Sequence, residues 1–420
     1  GGRNNTGSAD FTFIGGGKCN LVSDQFSTVV GGILNTASAA CSFIGGGLRN
    51  ISSGNSSIVV GGQLNTASNK FDIIVGGDNN TISNAYCSCN STIVGGKDNS
   101  MSNSYGAFRF IGGGCCNCID GYYSLGVIVG GINNTLAGSS EGGFIGGGTS
   151  NSVSYNGNIV GGKSNFERGQ HGFIGAGKNN SISGYNHFEG VIVGGCCNTI
   201  SGAYCKQSII GGGCQNLIGN AHNAVIVGGT LNTSSASCSF IGGGACNIVG
   251  GLGSVIAGGL TNVTIGNVSS IGGGQLNCIP GIASTIGGGY NNTSSGNFAT
   301  IAGGCENCTQ LNFSSIGGGA RNCVDGLAGT VAGGVANYTI GCSFIGGGVT
   351  NTASAVYATI GGGLNNCISG QYSVIAGGNC NLTDSCLSFV GGGDRNYADG
   401  IASVIAGGVT NFAAGCSVVG

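Results

Sequence analysis

The chain has 420 residues, of which 94 are glycine and one is proline, and only 6% are charged. A collagen triple helix needs glycine at every third position with abundant proline, and a disordered chain needs few hydrophobic residues and a high net charge. With 40% hydrophobic residues and a net charge of −2, the chain fits neither class. The weak net charge also argues against nucleic acid as a partner, and no apolar run is long enough for insertion into a membrane as a helix.

A Gly-Gly-x-x-Asn pattern recurs along the whole sequence. It occurs in 27 copies, and 17 of the 26 intervals between successive asparagines are 15 residues long. Ala176 makes the single break in the glycine pair. A 15-residue unit is too short for a helical hairpin or a propeller blade. We therefore interpret residues 1–420 as a single repeat solenoid, and as a segment of a longer chain because the sequence starts and stops inside a repeat.

Each unit begins at its asparagine. Asparagine tolerates left-handed turn conformations, and its amide both donates and accepts hydrogen bonds. Repeated at one turn of every coil, it predicts a ladder of side chains that satisfies the backbone groups of the turns. Ten asparagines of regular units are assigned to this ladder: Asn20, Asn35, Asn50, Asn65, Asn247, Asn262, Asn277, Asn292, Asn307 and Asn322.

A short strand, a Ser-Gly turn, a second short strand and a Gly-Gly turn follow the asparagine. One position of the second strand is isoleucine or valine in every copy from Ile14 to Ile405, and such β-branched residues fit a packed, pleated surface. The glycine clusters are turn signals because glycine adopts positive φ without steric cost. The sequence therefore predicts an all-β fold, a parallel β-roll or β-helix solenoid of about 27 stacked 15-residue coils. Whether one turn takes 15 or 30 residues stays open at this point.

The residues on either side of that isoleucine vary together. Phenylalanine occupies the earlier position eight times and the later position is then always glycine, as in Phe13 and Gly15. Where the later residue is valine or alanine, the earlier one is never phenylalanine, as in Thr28 and Val30. Pairing large with small keeps the volume of a close-packed interior constant, which predicts that this face is buried. Because the isoleucine face is buried too, a second layer is needed. We expect identical chains to supply it as a homotrimer, with a homodimer or a bundled filament as alternatives.

The unit Gly-x-x-Asn-x-Ala-Ser-Gly-x-x-Ser-x-Ile-Gly-Gly resembles the head repeat of trimeric autotransporter adhesins over essentially the whole chain. The resemblance implies a left-handed, homotrimeric parallel β-roll that is displayed at a surface and binds matrix or host molecules. The chain departs from that repeat by one added residue, a second glycine and its 22 cysteines. A viral or phage fibre shaft of similar architecture is a close alternative.

Residues 81–231 form a sub-region with lengthened loops, where most intervals grow to 16–19 residues. The additions fall between the Ser-Gly turn and the second strand, so we expect them to project from one side. Exposed aromatic and charged side chains are common binding determinants, which predicts contact with a host-surface protein or glycan. Tolerated insertion in surface loops is the alternative. The candidate contact residues are Arg109, Tyr122, Tyr123, Glu141, Tyr185, His187, Tyr204 and Lys206.

The cysteines are densest at residues 115–118 and 196–197. Zinc sites use four converging ligands, usually as two spaced pairs, whereas these cysteines take positions that hold Thr, Ser, Ala, Leu or Lys in other units. We therefore predict small packing residues or isolated thiols, with no metal site and no cofactor. Two pairs share a position in successive coils and are candidate disulfides: Cys308 with Cys323, and Cys196 with Cys214.

The sequence contains no recognisable catalytic constellation. Its 14 acidic residues are scattered, its three histidines have no obvious nucleophile beside them, and its glycine clusters lack the Lys-Ser/Thr of a phosphate loop. We expect a non-enzymatic fibrous surface protein, an adhesin-like head or fibre shaft, located outside the cell, on the cell surface or on a virion. A purely structural viral or extracellular filament is the alternative. A β-helical polysaccharide-acting enzyme is a remote one.

Overall fold

The computed structural model describes residues 1–83, 89–102, 107–121, 125–138, 142–184, 189–202 and 206–420. It contains two compact units, Gly1–Asn220 and Ala221–Gly420, and each is a stack of parallel β coils. One turn takes 15 residues in the regular coils, because Thr6 pairs with Leu21 and Phe13 pairs with Thr28. The predicted all-β parallel solenoid is confirmed, with about 26 coils of about 15 residues. Among the described residues, no helix is long and apolar enough to cross a membrane.

Each coil gives one strand to each of two parallel sheets. The strands of sheet A follow the ladder asparagine, and the strands of sheet B end in the buried isoleucine or valine. The residue after the Gly-Gly pair joins a third column of single bridges, the bridge column, in which Lys18 pairs with Ile33 and Ile33 with Leu48. Each coil therefore presents three sides to solvent.

The strands of the first unit are short. Its sheet A consists of Thr6–Gly7, Leu21–Val22, Thr36–Ala37, Ile51–Ser52, Thr66–Ala67, Thr81–Ser83, Ser100–Ser102, Cys118–Gly121, Thr135–Gly138, Ser152–Val153, Phe166–Glu167, Ser181–Ser183, Thr199–Ser201 and Leu217–Gly219. Its sheet B consists of Phe13–Ile14, Thr28–Val29, Phe43–Ile44, Ile58–Val59, Ile73–Ile74, Thr92–Ile93, Phe110–Ile111, Val127–Ile128, Phe144–Ile145, Asn158–Ile159, Phe173–Ile174, Val191–Ile192 and Ile209–Ile210.

The second unit repeats this arrangement with two-residue strands. Its sheet A consists of Thr233–Ser234, Ile248–Val249, Val263–Thr264, Cys278–Ile279, Thr293–Ser294, Cys308–Thr309, Cys323–Val324, Tyr338–Thr339, Thr352–Ala353, Cys367–Ile368, Leu382–Thr383, Tyr397–Ala398 and Phe412–Ala413. Its sheet B consists of Val225–Ile226, Phe240–Ile241, Val255–Ile256, Ser270–Ile271, Thr285–Ile286, Thr300–Ile301, Ser315–Ile316, Thr330–Val331, Phe344–Ile345, Thr359–Ile360, Val374–Ile375, Phe389–Val390, Val404–Ile405 and Val418–Val419.

The core of each unit consists of two columns of inward side chains, one from each sheet. Val22 and Val29 supply them in one coil, and both are fully buried. Complete burial of such a side chain stabilises the fold by about 1.5–3 kcal/mol. The sheet B column is isoleucine or valine in every coil, whereas the sheet A column is alanine, serine or threonine in many of them, so the sheet B column provides the main driving force for stacking.

The asparagine side chains form a hydrogen-bonded ladder at one corner of the coils. Nδ2 of Asn35 donates to the carbonyl of Gly31 in its own coil, at 3.0 Å, and to that of Gly47 in the next coil, at 3.1 Å. Its Oδ1 accepts the backbone N–H of Asn50 at 2.9 Å. The ten asparagines assigned to the ladder are all buried: Asn20, Asn35, Asn50, Asn65, Asn247, Asn262, Asn277, Asn292, Asn307 and Asn322.

The same corner explains why the second glycine of each Gly-Gly pair recurs. Gly259 has a φ of +97°, and a Cβ added there would lie 2.1 Å from the carbonyl oxygen of Gly274. At Gly258, the first glycine of the pair, no atom lies within 4 Å of an added Cβ. Ala176, the one break in the repeated pair, occupies this open first position.

Candidate binding surfaces

The outward side chains of sheet B form a continuous surface in each unit, here called face B. It comprises, in each coil, the residues immediately before and after the buried isoleucine or valine. Phe13 is 55% exposed and Val129 is 49% exposed. In the single chain this face therefore lies outside the coil, so its expected burial depends on contact with another copy.

The pattern on face B has a local cause. A Cβ at Gly15 would lie 3.4 Å from Cε1 of Phe13 and 2.4 Å from the carbonyl oxygen of Val30. The carbonyl oxygen of the next coil therefore excludes a side chain at Gly15, and the phenyl ring of Phe13 lies in van der Waals contact over this glycine. The same contact recurs at Gly45, beneath Phe43.

Face B carries no charged residue in any of the described strands of sheet B or directly after them. Charged residues occur instead on the bridge column, where Lys18, Asp78 and Lys97 are examples. In the first unit the face is almost entirely Phe, Val, Ile and Gly. The separation of charge from apolar surface makes face B the strongest candidate for a contact surface.

Part of face B in the second unit differs in composition. Over residues 270–332, here called the hydroxyl stretch, the first strand residue is serine or threonine in five successive coils: Ser270, Thr285, Thr300, Ser315 and Thr330. The residue after the buried position is glycine or alanine throughout this stretch. This part of the face is consequently flatter and more polar than its counterpart in the first unit.

Of the predicted contact residues in the lengthened loops, the structure describes only Arg109 and Lys206. Arg109 is 1% exposed, and its Nη1 donates to the carbonyl of Ser102 at 3.3 Å, so its guanidinium points inward rather than toward a partner. Lys206 is exposed. The others lie outside the described residues: Tyr122, Tyr123, Glu141, Tyr185, His187 and Tyr204.

A shallow groove of about 550 Å³ lies beside these loops, on the outer side of sheet A. Its floor includes Gly121 and Gly138, where a Cβ would collide with the backbone of the next coil. Its walls carry a carboxylate at Asp120, a phenol at Tyr155 and a guanidinium at Arg168. Charged and aromatic groups around a glycine floor suit a polar ligand with some apolar surface.

Three charged side chains are buried near the lengthened loops. Burial raises the pKa of Asp72 to about 6, although its carboxylate accepts backbone N–H groups from Asn69 and Ser91. Burial lowers the pKa of Arg109, and the charges of Asp72 and Asp120 oppose that shift. Burial also raises the pKa of Glu167 to about 8.

Glu167 replaces a small or aliphatic core residue of sheet A. Its Oε1 accepts the N–H of Gly169 at 2.6 Å, and its Oε2 has no hydrogen-bond partner among the described residues. A Cβ at Gly157 would lie 1.5 Å from Oε2, and one at Gly172 would lie 2.3 Å from Oε1. These two glycines create the space that the glutamate fills, a signal that the sequence contained and that our reading of it missed.

The four cysteines considered for disulfides are free thiols in this structure. Cys308 and Cys323 are register partners on sheet A, and their shared hydrogen bond lowers the pKa of Cys323 to about 7. Cys196 and Cys214 are partners in the bridge column, with their Sγ atoms 3.5 Å apart. Stacking thus brings each pair together without joining it.

Stacked aromatic pairs were also missed by sequence reasoning. They occupy the exposed corner between the two sheets, at a position with positive φ, and their rings belong to successive coils. The ring centroids are 5.0 Å apart for Phe11 and Phe26, and 5.3 Å apart for Phe298 and Phe313. The available signal was the recurrence of aromatic residues at 15-residue spacing.

No protein-family model matches this chain, and no curated protein sequence matches it either.

Proposed function

We propose that this chain is a non-enzymatic fibrous surface protein that associates with copies of itself through face B and serves as a scaffold at an extracellular, cell or virion surface. The supporting observation is the uncharged, exposed surface of Phe and Val that runs along sheet B of the first unit. Monomeric soluble proteins rarely expose contiguous apolar patches larger than a few hundred Å². A partner that covers this face removes its apolar surface from water and thereby stabilises the assembly.

A second copy of this chain is the occupant that we propose. Successive coils are about 4.8 Å apart, so the side chains of face B repeat with that spacing. Another copy has the same repeat, so its side chains interdigitate in register along the face, as in packed sheets about 10 Å apart. Since each coil of the first unit offers one such face, three copies around a common axis bury this apolar part of face B, and the hydroxyl stretch of the second unit takes no part in the contact. The resemblance to trimeric adhesin heads favours the same arrangement, and a dimer or a filament is the alternative.

Sedimentation velocity of the reduced chain and two lysine variants tests this proposal. We expect the unsubstituted chain to sediment as a trimer, and Val129→Lys to shift it toward monomer because the interface would bury an unpaired charge. Ala302→Lys is the matched control, since it alters the same coil position within the hydroxyl stretch. It should leave the association nearly unchanged.

Each outcome of this experiment is informative because Val129 is already half-exposed, and a lysine there remains in solvent in the single chain. Circular dichroism of each variant verifies the β structure. A monomer at all concentrations, or equal effects of the two lysines, would overturn the proposal.

The groove beside the lengthened loops favours attachment to a host glycan or surface protein as a second function. Tyr155 and Arg168 supply an aromatic face and a charge around its glycine floor. Binding of the full chain to an array of glycans and matrix proteins should be reduced at least tenfold by Tyr155→Ala. Tyr357→Ala, which removes an exposed tyrosine from a regular coil, serves as the control. Equal binding by both variants would dismiss the groove as the attachment site.

A further inference from the structure

Two pairs of adjacent cysteines occur in the sequence, and both occupy the same corner of a coil. Cys115 and Cys196 lie in the bridge column, and each is followed by a second cysteine with a left-handed backbone, Cys116 with φ +58° and Cys197 with φ +56°. The Sγ atoms within each pair are 3.0 Å and 3.5 Å apart, respectively. A repeated dithiol corner is thus part of the first unit.

The coils stacked before the two pairs differ next to the bridge column. Lys97 pairs with Cys115 and is followed by Asp98, which lies beside Cys116. Lys178 pairs with Cys196 and is followed by Asn179, which takes the same place beside Cys197. A carboxylate oxygen of Asp98 and the Sγ atoms of Cys115 and Cys116 all lie within 4.8 Å of one another. The first corner therefore combines two thiols and a carboxylate, while the second lacks the carboxylate and has a third thiol, Cys214, 3.5 Å from Cys196.

We propose that Asp98, Cys115 and Cys116 form a binding site for a borderline-soft divalent cation such as Zn²⁺. Zinc binds thiolate sulfur at about 2.3 Å and carboxylate oxygen at about 2.0–2.2 Å, which places two sulfur ligands of a tetrahedral ion roughly 3.7 Å apart. The two sulfur atoms need to separate by less than about 1 Å from their present 3.0 Å, a change that side-chain rotation supplies. Water takes the fourth position.

The surroundings of the site orient its carboxylate. Nδ2 of Asn79 donates to Oδ1 of Asp98 at 2.7 Å, and hydrogen bonds of this kind to ligating carboxylates are usual around protein-bound metals. Each thiol releases its proton to solvent as its sulfur–metal bond forms. Two thiolates and the carboxylate then carry three negative charges, which exceed the single positive charge of Lys97 in the adjoining coil.

The lengthened coils explain why sequence reasoning did not find this site. Zinc motifs are recognised from ligand spacings that are short and regular, whereas Asp98 joins the two cysteines only through the pairing of Lys97 with Cys115. This pairing joins two coils whose ladder asparagines, Asn99 and Asn117, are 18 residues apart.

Titration of the reduced full chain with Co²⁺, followed by displacement with Zn²⁺, tests the proposal. We expect thiolate-to-cobalt charge-transfer absorption at this site, lost in a Cys115→Ser, Cys116→Ser double variant. Serine suits these positions because Thr149 and Ser150 occupy them two coils later. The matched control is Cys196→Ser with Cys197→Ser, which should retain the absorption of the first corner.

A reciprocal exchange between the corners tests the carboxylate. Asp98→Asn should weaken Zn²⁺ binding at the first corner at least tenfold, and Asn179→Asp should strengthen it at the second by a similar factor. Circular dichroism confirms that each variant is folded. Charge-transfer absorption that is as strong in the first double serine variant as in the unsubstituted chain, or affinities that neither exchange alters, would overturn the proposal.

Discussion

The two side-chain-bonded corners of each coil respond differently to changes in chain length. At the asparagine corner the backbone N–H of each ladder residue reaches the preceding asparagine across intervals of 14, 15 and 19 residues, at Asn165, Asn277 and Asn99 respectively. The additional residues of the lengthened coils all fall, in sequence, between the sheet A strand and the sheet B strand, that is, on the side of the opposite corner. One corner thus sets the stacking, and the other is free to vary.

The side chains that line the opposite corner vary from coil to coil. In regular coils of the second unit, Ser269 donates from Oγ to the carbonyl of Gly281 at 2.8 Å and accepts the N–H of Ser284 at 3.3 Å. In the lengthened coils this inward position is glycine in some, such as Gly126 and Gly190, and serine in others, such as Ser208. No side chain recurs there in every coil, whereas asparagine recurs in every coil at the other corner.

The largest effect is expected from Gly259→Ala at the asparagine corner. The new Cβ would combine a positive φ with a 2.1 Å approach to a carbonyl oxygen, so we expect a loss of at least about 3 kcal/mol in the free energy of unfolding. Urea denaturation followed by circular dichroism measures it. Gly258→Ala is the adjacent control and should change stability by less than about 0.5 kcal/mol. Equal losses in the two variants would refute the role assigned to this corner.

A comparison of Asn277→Ala with Ser284→Ala sets the two corners against each other. The first removes the side-chain bonds to the carbonyls of Gly273 and Gly289 and to the N–H of Asn292, and should cost about 3 kcal/mol. The second removes the bond from Oγ to the carbonyl of Gly296 and the bond that Oγ accepts from the N–H of Ala299, at a position that is alanine in other coils, and should cost about 1–2 kcal/mol. The same urea denaturation measures both, and a reversed order would break the comparison.

A pH-dependent effect is expected from Glu167. Because burial raises its folded-state pKa to about 8, above its usual value of 4.5, the folded chain binds a proton that the unfolded chain releases between these values. The free energy of unfolding should therefore decrease as the pH rises from about 4.5 to 8, by a few kcal/mol. Denaturation across this range should show the slope in the unsubstituted chain and lose most of it in Glu167→Gln. An unchanged slope would show that the carboxyl is ionised and solvated.

The sequence predicted the 15-residue period of the fold because the ladder asparagine and the second glycine of each Gly-Gly pair are both required at one place in the coil. It could not tell which side of sheet B faces outward. Phe13 and Ile14 are both apolar, and a period-two pattern separates the two faces without saying which is inside. Volume pairing between Phe13 and Gly15 suggested an interior, whereas the ring lies over its own strand. Arg109 was placed outside because it falls among inserted residues, but it is buried and interacts electrostatically with Asp72, which lies two coils earlier.

A cryo-electron microscopy map of the reduced 420-residue chain tests the proposed association most directly. We expect coils spaced about 4.8 Å apart within each unit, with face B of the first unit packed against a second copy about 10 Å away. A map of a single chain with Val129 and its neighbours on face B in solvent would contradict this association.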